Sequence, residues 1–228
     1  MLFLYIVGSI VLMLFGFAAQ AMVKSNFHKY SRVRASSGLT GAESAALMLE
    51  REGIRGVRIT VSDQGFLSDH YDPSSKTIRL SPEVHDGTSL SALGVACHEA
   101  GHAIQDARRY APLVIRNTAV PVANFGSSAG VLIVVVGVAI GATGIAMLGL
   151  VLFAAVVFFQ LVNLPVEFDA SARAKKALVA HGLISRGQEQ AGVSAVLNAA
   201  ALTYVAATAA AVFQLLYYAM LVFGQRRD

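Results

Sequence analysis

The chain has 228 residues, 55% of them hydrophobic, with a mean hydropathy of +0.59, a net charge of +4 and a pI near 9.4. That is too apolar for an ordinary soluble domain and points to a membrane protein. The small basic excess clusters beside hydrophobic runs and comes with no nucleic-acid-binding motif, so no nucleic acid is expected as a partner, and the lone Cys97 excludes an intrachain disulfide.

Residues 1–22 are expected to form a transmembrane anchor. Leu2 to Met22 is one uncharged apolar run, long enough at about 1.5 Å per residue to cross the hydrocarbon core. Ala19-Gln20-Ala21 resembles a signal-peptide cleavage site. However, no Lys or Arg precedes the run, while Lys24, Lys29, Arg32 and Arg34 follow it. That polarity fits an anchor with its N-terminus outside rather than a cleaved signal.

The next polar stretch, 23–118, reads as a folded domain. Thr40 and Glu43 have capping-box spacing and open a helix that Gly53 stops. Val57 to Val61 alternates as a short strand. Asp63 to Ser75, rich in Gly, Ser, Asp and Pro, reads as loop. Thr77 to Leu80 reads as a second strand, ended by Ser81-Pro82. A helix beginning near Thr88 or Ser89 is expected to run to Arg109, with Arg108 and Arg109 at the negative end of its dipole.

Inside that helix stands His98-Glu99-Ala100-Gly101-His102, the H-E-x-x-H pattern. Residues i and i+4 share one face of a helix, so both imidazoles can reach one cation. Zinc suits neutral imidazole and lowers the pKa of a bound water toward about 7. Glu99, beside the first ligand, is placed to take that water's proton. Small apolar neighbours suggest a half-buried site, where a His-Glu-His cluster without a metal would be costly. Cys97 lies about 100° around the helix from His98 and reads as a core residue.

Residues 119–164 are expected to form a transmembrane helical hairpin, because Val122 to Leu164 is uncharged, too long for one span and suited to two. The break falls near Gly141 to Gly144. Residues 165–196 then return as a third-ligand helix completing the site, with Pro165 in its first turn and Gly182 after its end. A catalytic zinc needs a third protein ligand and one open position. Glu167, Asp169, His181 and Glu189 are the candidates. Glu167, Ala170, Ser171 and Ala174 share one face, and the small residues permit close packing against Gly101, so Glu167 is the best of the four. Two spans separate His102 from Glu167, which returns both to the same side of the membrane. Residues 197–228 complete the chain as a transmembrane helix and tail.

The segment 23–118 carries twelve of the eighteen Lys and Arg residues and 165–196 carries four. The positive-inside rule therefore places both in the cytoplasm and both termini outside.

Tyr71-Asp72-Pro73, Lys76-Thr77-Ile78-Arg79-Leu80-Ser81-Pro82-Glu83-Val84, His98 through Gln105 and Leu164-Pro165-Val166-Glu167-Phe168 together resemble the YugP-like neutral zinc metallopeptidases of bacterial membranes. The resemblance covers nearly the whole chain. It implies a gluzincin-like site related to the HtpX and Ste24 peptidases, whose third-ligand motif is Glu-x-x-Ala-Asp. Glu167 and Ala170 match that motif, while Ser171 stands where the orienting acid is usual. The resemblance also implies that Thr77 to Leu80 is an edge strand that pairs with an extended substrate. The oxyanion stabiliser stays open among Arg173, His181, Tyr71 and Arg79.

The sequence thus describes a mainly α, multi-span helical membrane protein of about four transmembrane helices with a small α+β zincin-like metallopeptidase domain. The expected activity is that of a membrane-bound zinc metalloendopeptidase of the bacterial cytoplasmic membrane, with the catalytic domain facing the cytoplasm. One Zn²⁺ per chain is expected on His98, His102 and Glu167, with Glu99 catalytic, peptide or protein as substrate and the lipid bilayer as surroundings. Oligomeric state is not encoded legibly. The alternatives are a site-2-type intramembrane metalloprotease, disfavoured by Asp86, Asp106, Arg108 and Arg109 around the motif helix, and a non-enzymatic scaffold with a vestigial metal site.

Overall fold

The computed structural model describes residues 2–65 and 68–224. The tail Arg226-Arg227-Asp228 and part of the Asp63 to Ser75 stretch lie outside the described residues. The architecture is a mainly α membrane protein with a small three-stranded sheet. Among the described residues, four helices are long and apolar enough to cross a membrane: Leu2–Ser31, Ala111–Ala139, Thr143–Ala180 and Gln188–Gly224. The chain divides into two compact units, Met1–Ala18 with Ala111–Pro165 and Thr203–Asp228, and Ala19–Tyr110 with Val166–Leu202.

The first unit holds the most apolar helix segments. They come from α1 (Leu2–Ser31), α5 (Ala111–Phe125), a five-residue π segment (Gly126–Gly130), α6 (Val131–Ala139), α7 (Thr143–Ala180) and α8 (Gln188–Gly224). Pro121 inside α5 removes a backbone donor, and the π segment follows within the next turn and a half. The backbones of α6 and α7 approach so closely that a Cβ on Gly137 would sit 2.3 Å from the Ala146 nitrogen. Small residues at such a seam are how helices associate where lipid removes the hydrophobic drive. Phe153 and Tyr218 meet edge to face, centroids 5.6 Å apart, beside Val134, Leu150 and Val222. Leu132, Ile140, Val151 and Leu216 remain exposed, as apolar surface facing acyl chains does.

The second unit is the α+β part. Its α2 (Gly41–Arg51) opens on a complete capping box. The Thr40 hydroxyl accepts from Glu43 N at 3.1 Å, and Glu43 Oε2 accepts from Thr40 N at 2.8 Å, a cap of about 1 kcal/mol. The sheet runs in the order β1-β3-β2, with β1 (Arg58–Val61) parallel to β3 (Thr77–Leu80) and β2 (His70–Asp72) antiparallel to it. Ile78 and Leu80 of β3 are fully buried and contribute about 2 kcal/mol each. They pack with Met48, Leu49, Leu93, Ala96, Cys97, Ile104, Ala174 and Leu178 into one core. The short helix α3 (Pro82–His85) precedes α4 (Leu90–Ala107), whose first turn is capped by the Ser89 hydroxyl accepting from Ala92 N at 3.2 Å.

Several sequence expectations change here. β2 lies inside the stretch expected to be loop. It forms because Asp72 accepts from Ser74 N, Ser74 Oγ and Ser75 Oγ at 2.9, 2.6 and 2.6 Å, which turns the chain back so that β2 pairs with β3. β3 is consequently the central strand, not an edge, so the edge-strand role does not fall on Thr77 to Leu80. α4 ends at Ala107, two residues early, because Arg109 takes φ 49° in the left-handed region. Pro165 does not begin a helix but lies within continuous α7, where its missing donor interrupts the hydrogen-bond ladder without ending it.

Candidate metal centre

His98 and His102 project from one face of α4, their rings edge to face with centroids 4.7 Å apart. Their Nε2 atoms approach to 3.2 Å. From α7, Glu167 Oε2 lies 3.3 Å from His98 Nε2 and 3.6 Å from His102 Nε2. Contact between these helices is possible because Gly101 has no Cβ: one built there would lie 2.8 Å from the Ala170 carbonyl oxygen. The small face of α7, read in the sequence as Ala170, Ser171 and Ala174, is buried.

The donor set fits a zinc ion. Ligand atoms at zinc distances in tetrahedral directions lie roughly 3.3–3.5 Å from one another. The three observed separations bracket that value, and all three donors lie within 4.8 Å of each other. Glu167 and His102 are buried and His98 is half-buried, so in the absence of a cation the carboxylate would face two imidazoles in a desolvated pocket. Burial works against a charge on His102. The hydrogen bond to Glu167 and the fields of Glu99 and Glu167 outweigh it and hold the imidazole pKa above its ordinary value. Glu99 is buried beside the first histidine on α4.

The other nitrogens of both rings are also engaged. His98 Nδ1 meets Ser171 Oγ at 3.1 Å, and His102 Nδ1 meets Gln105 Oε1 at 3.0 Å. Ser171 thus partners the ring nitrogen of His98 that faces away from Glu167. The Gln105 contact was missed in the sequence, although a glutamine three residues beyond His102 on an apolar helix face was its signal. Asp169, a rival third ligand, is not in the cluster. It accepts from Gln105 Nε2 at 2.8 Å and from Arg173 Nε at 2.5 Å. Glu189 accepts from Ser36 N and Ser36 Oγ at 2.9 and 2.8 Å, tying a loop to α8. His181 lies outside the cluster too.

Cys97 is fully buried in the core and its thiol is pushed up to about 12 by desolvation. Among the oxyanion candidates, the Tyr71 hydroxyl donates to Asp106 at 2.8 Å, and burial followed by that bond raises its pKa. Arg79 pairs with Asp72 at 3.2 Å. Arg173 pairs with Asp169 and lies over the Tyr110 ring at 6.0 Å.

The protein family described as "Putative neutral zinc metallopeptidase" matches residues 5–223. The chain belongs to this family. It is 47% identical over all 228 residues, 100% of both chains, to a protein of Bacillus subtilis (strain 168) named "Putative membrane protease YugP". No solved structure matches the chain. The family description names the metal that the cluster of His98, His102 and Glu167 suits.

Proposed function

We propose that this protein is a membrane-bound zinc metalloendopeptidase that hydrolyses peptide bonds with water, carrying one zinc ion on His98, His102 and Glu167. The observation that carries the reading is the convergence of two Nε2 atoms and one carboxylate oxygen at separations of 3.2, 3.3 and 3.6 Å. The matching family and the relative's name support it.

When bound, zinc supplies a Lewis acid for the scissile carbonyl and acidifies water at the site. The chain's own residues do the rest. Glu99 takes a proton from the attacking water as the water oxygen bonds to the carbonyl carbon. As the C–N bond breaks, Glu99 returns the proton to the departing amine, so the carboxylate is regenerated and one water is consumed per bond. Ser171 and Gln105 hold the imidazoles in register for the metal.

The division of labour follows the chain. Residues 1–22, 119–164 and 197–228 hold the protein in the bilayer, while 23–118 and 165–196 build the site. The distribution of Lys and Arg supports a cytoplasmic site, and the Bacillus relative named as a membrane protease supports a bacterial cytoplasmic membrane location. A peptide or protein is the substrate.

The test is removal and return of metal. Purified protein in detergent is stripped with a chelator and then given stoichiometric zinc. Cleavage of an unfolded protein substrate is expected to vanish and to return. Cleavage that survives complete stripping overturns the reading.

A further inference from the structure

We infer that Gln105 is a positioning residue that fixes which nitrogen of His102 carries the proton, and that Val166 and Asp169 fix Gln105 in turn. The inference rests on the metal site proposed above, but its decisive contacts are those of Gln105 with His102, Val166 and Asp169.

Gln105 is fully buried. Its Nε2 lies 2.8 Å from the Val166 carbonyl oxygen and 2.8 Å from Asp169 Oδ2. A carbonyl and a carboxylate accept and do not donate, so they claim the two amide hydrogens and settle which way the amide points. The amide oxygen then faces His102 Nδ1 at 3.0 Å. An amide oxygen only accepts, so Nδ1 is the nitrogen that bears hydrogen. In a neutral imidazole the other nitrogen, Nε2, is left with its lone pair bare. Nε2 is the atom that faces Glu167 and His98. Turning the amide over would set its oxygen against two acceptors inside the core, which is the costly arrangement for a buried polar group.

The series does not stop at Asp169. Arg173 Nε donates to the same Oδ2 at 2.5 Å and holds the carboxylate against Gln105. Val166 is the residue before Glu167, so the amide that orients His102 also grips the backbone beside the third ligand. One side chain thereby sets an imidazole on α4 and the register of a carboxylate on α7. His98 is served differently. Its Nδ1 meets Ser171 Oγ, and a hydroxyl both donates and accepts, so Ser171 imposes no tautomer by itself.

Three variants of the full chain in detergent test this: Gln105→Met, Asp169→Leu and Asp169→Asn. Zinc affinity is read by chelator competition, and the site geometry by the visible spectrum of the Co²⁺-loaded protein. Outer partners of a metal-bound imidazole are worth about 10–100-fold in metal affinity. Gln105→Met is expected to lose affinity within that range and to alter the cobalt spectrum. Asp169→Leu is expected to fall between it and wild type, and Asp169→Asn, which keeps an acceptor for Gln105, to stay within about threefold of wild type. A merely structural role for Gln105 would change the melting temperature and leave the cobalt spectrum alone.

A second readout needs no metal. In metal-free protein labelled with ¹⁵N-histidine, at alkaline pH where imidazole is neutral, His102 is expected to show hydrogen on Nδ1. Gln105→Met is expected to show both tautomers. Wild type that takes up neither zinc nor cobalt overturns the hydrolase reading, and the nitrogen spectra still judge this inference. An Nδ1 without hydrogen in wild type, or Gln105→Met with wild-type metal affinity and cobalt spectrum, overturns the inference itself.

Discussion

Gly101 and Ala170 stand so close that a Cβ on Gly101 would lie 2.8 Å from the Ala170 carbonyl oxygen and 3.1 Å from its Cα. The close approach of these two backbones sets the distance between the helix that carries both histidines and the helix that carries Glu167. Gly101→Ala gains helix propensity of about 1 kcal/mol but must push backbone, not a flexible side-chain end. Overpacking of this kind costs about 1–3 kcal/mol. The expected result is weakened zinc binding that exceeds any loss of melting temperature. Zinc content after dialysis and a thermal melt of the same sample check it.

The choice of third ligand gives the second prediction. Glu167→Ala is expected to lose zinc or bind it far more weakly, because it removes one of three protein donors. Asp169→Ala is expected to retain zinc with an affinity lowered by no more than about 100-fold, since Asp169 reaches the site only through Gln105. Metal analysis of both variants beside wild type separates the two carboxylates.

Ser171 is the hydrogen-bond partner of His98 Nδ1. Ser171→Ala removes the partner of His98 Nδ1 and is expected to weaken zinc binding about 10-fold. Ser171→Asp supplies a stronger acceptor for the Nδ1 hydrogen and is expected to bind zinc at least as tightly as wild type. Chelator competition on the two variants decides it.

Cys97 is buried, with its thiol pushed up to about 12, so the folded protein is expected to be inert to maleimide at neutral pH. That silence makes introduced cysteines clean reporters of orientation. Arg55→Cys, on the exposed turn after α2, is expected to resist a membrane-impermeant maleimide in intact bacteria and to react after lysis. Labelling of the intact cells would reverse the proposed orientation.

Much of this was written in local patterns. The histidine pair is legible because four residues along a helix return to one face, and Thr40 and Glu43 announce their cap by spacing alone. Glu167 could be picked from its neighbours because small residues on one face predict close packing. What escaped depends on partners far away in sequence. β2 is three residues inside a stretch of turn-like composition that become a strand only by pairing with β3, and that pairing moved β3 from the edge to the centre. Pro165 reads locally as a helix start, yet the flanking segments carry α7 straight through it. The hold of Val166 and Asp169 on Gln105 appears only once α4 and α7 are side by side.

The account's central claim is that Glu99 moves the proton while other residues hold the metal. The most direct measurement is zinc content and cleavage rate on the same preparations of wild type and Glu99→Gln. General acid–base groups are worth about 10²–10⁴ in rate. Glu99→Gln is expected to keep one zinc per chain and to lose cleavage by a factor in that range. A Glu99→Gln protein that cleaves at the wild-type rate, with its zinc in place, would contradict the account.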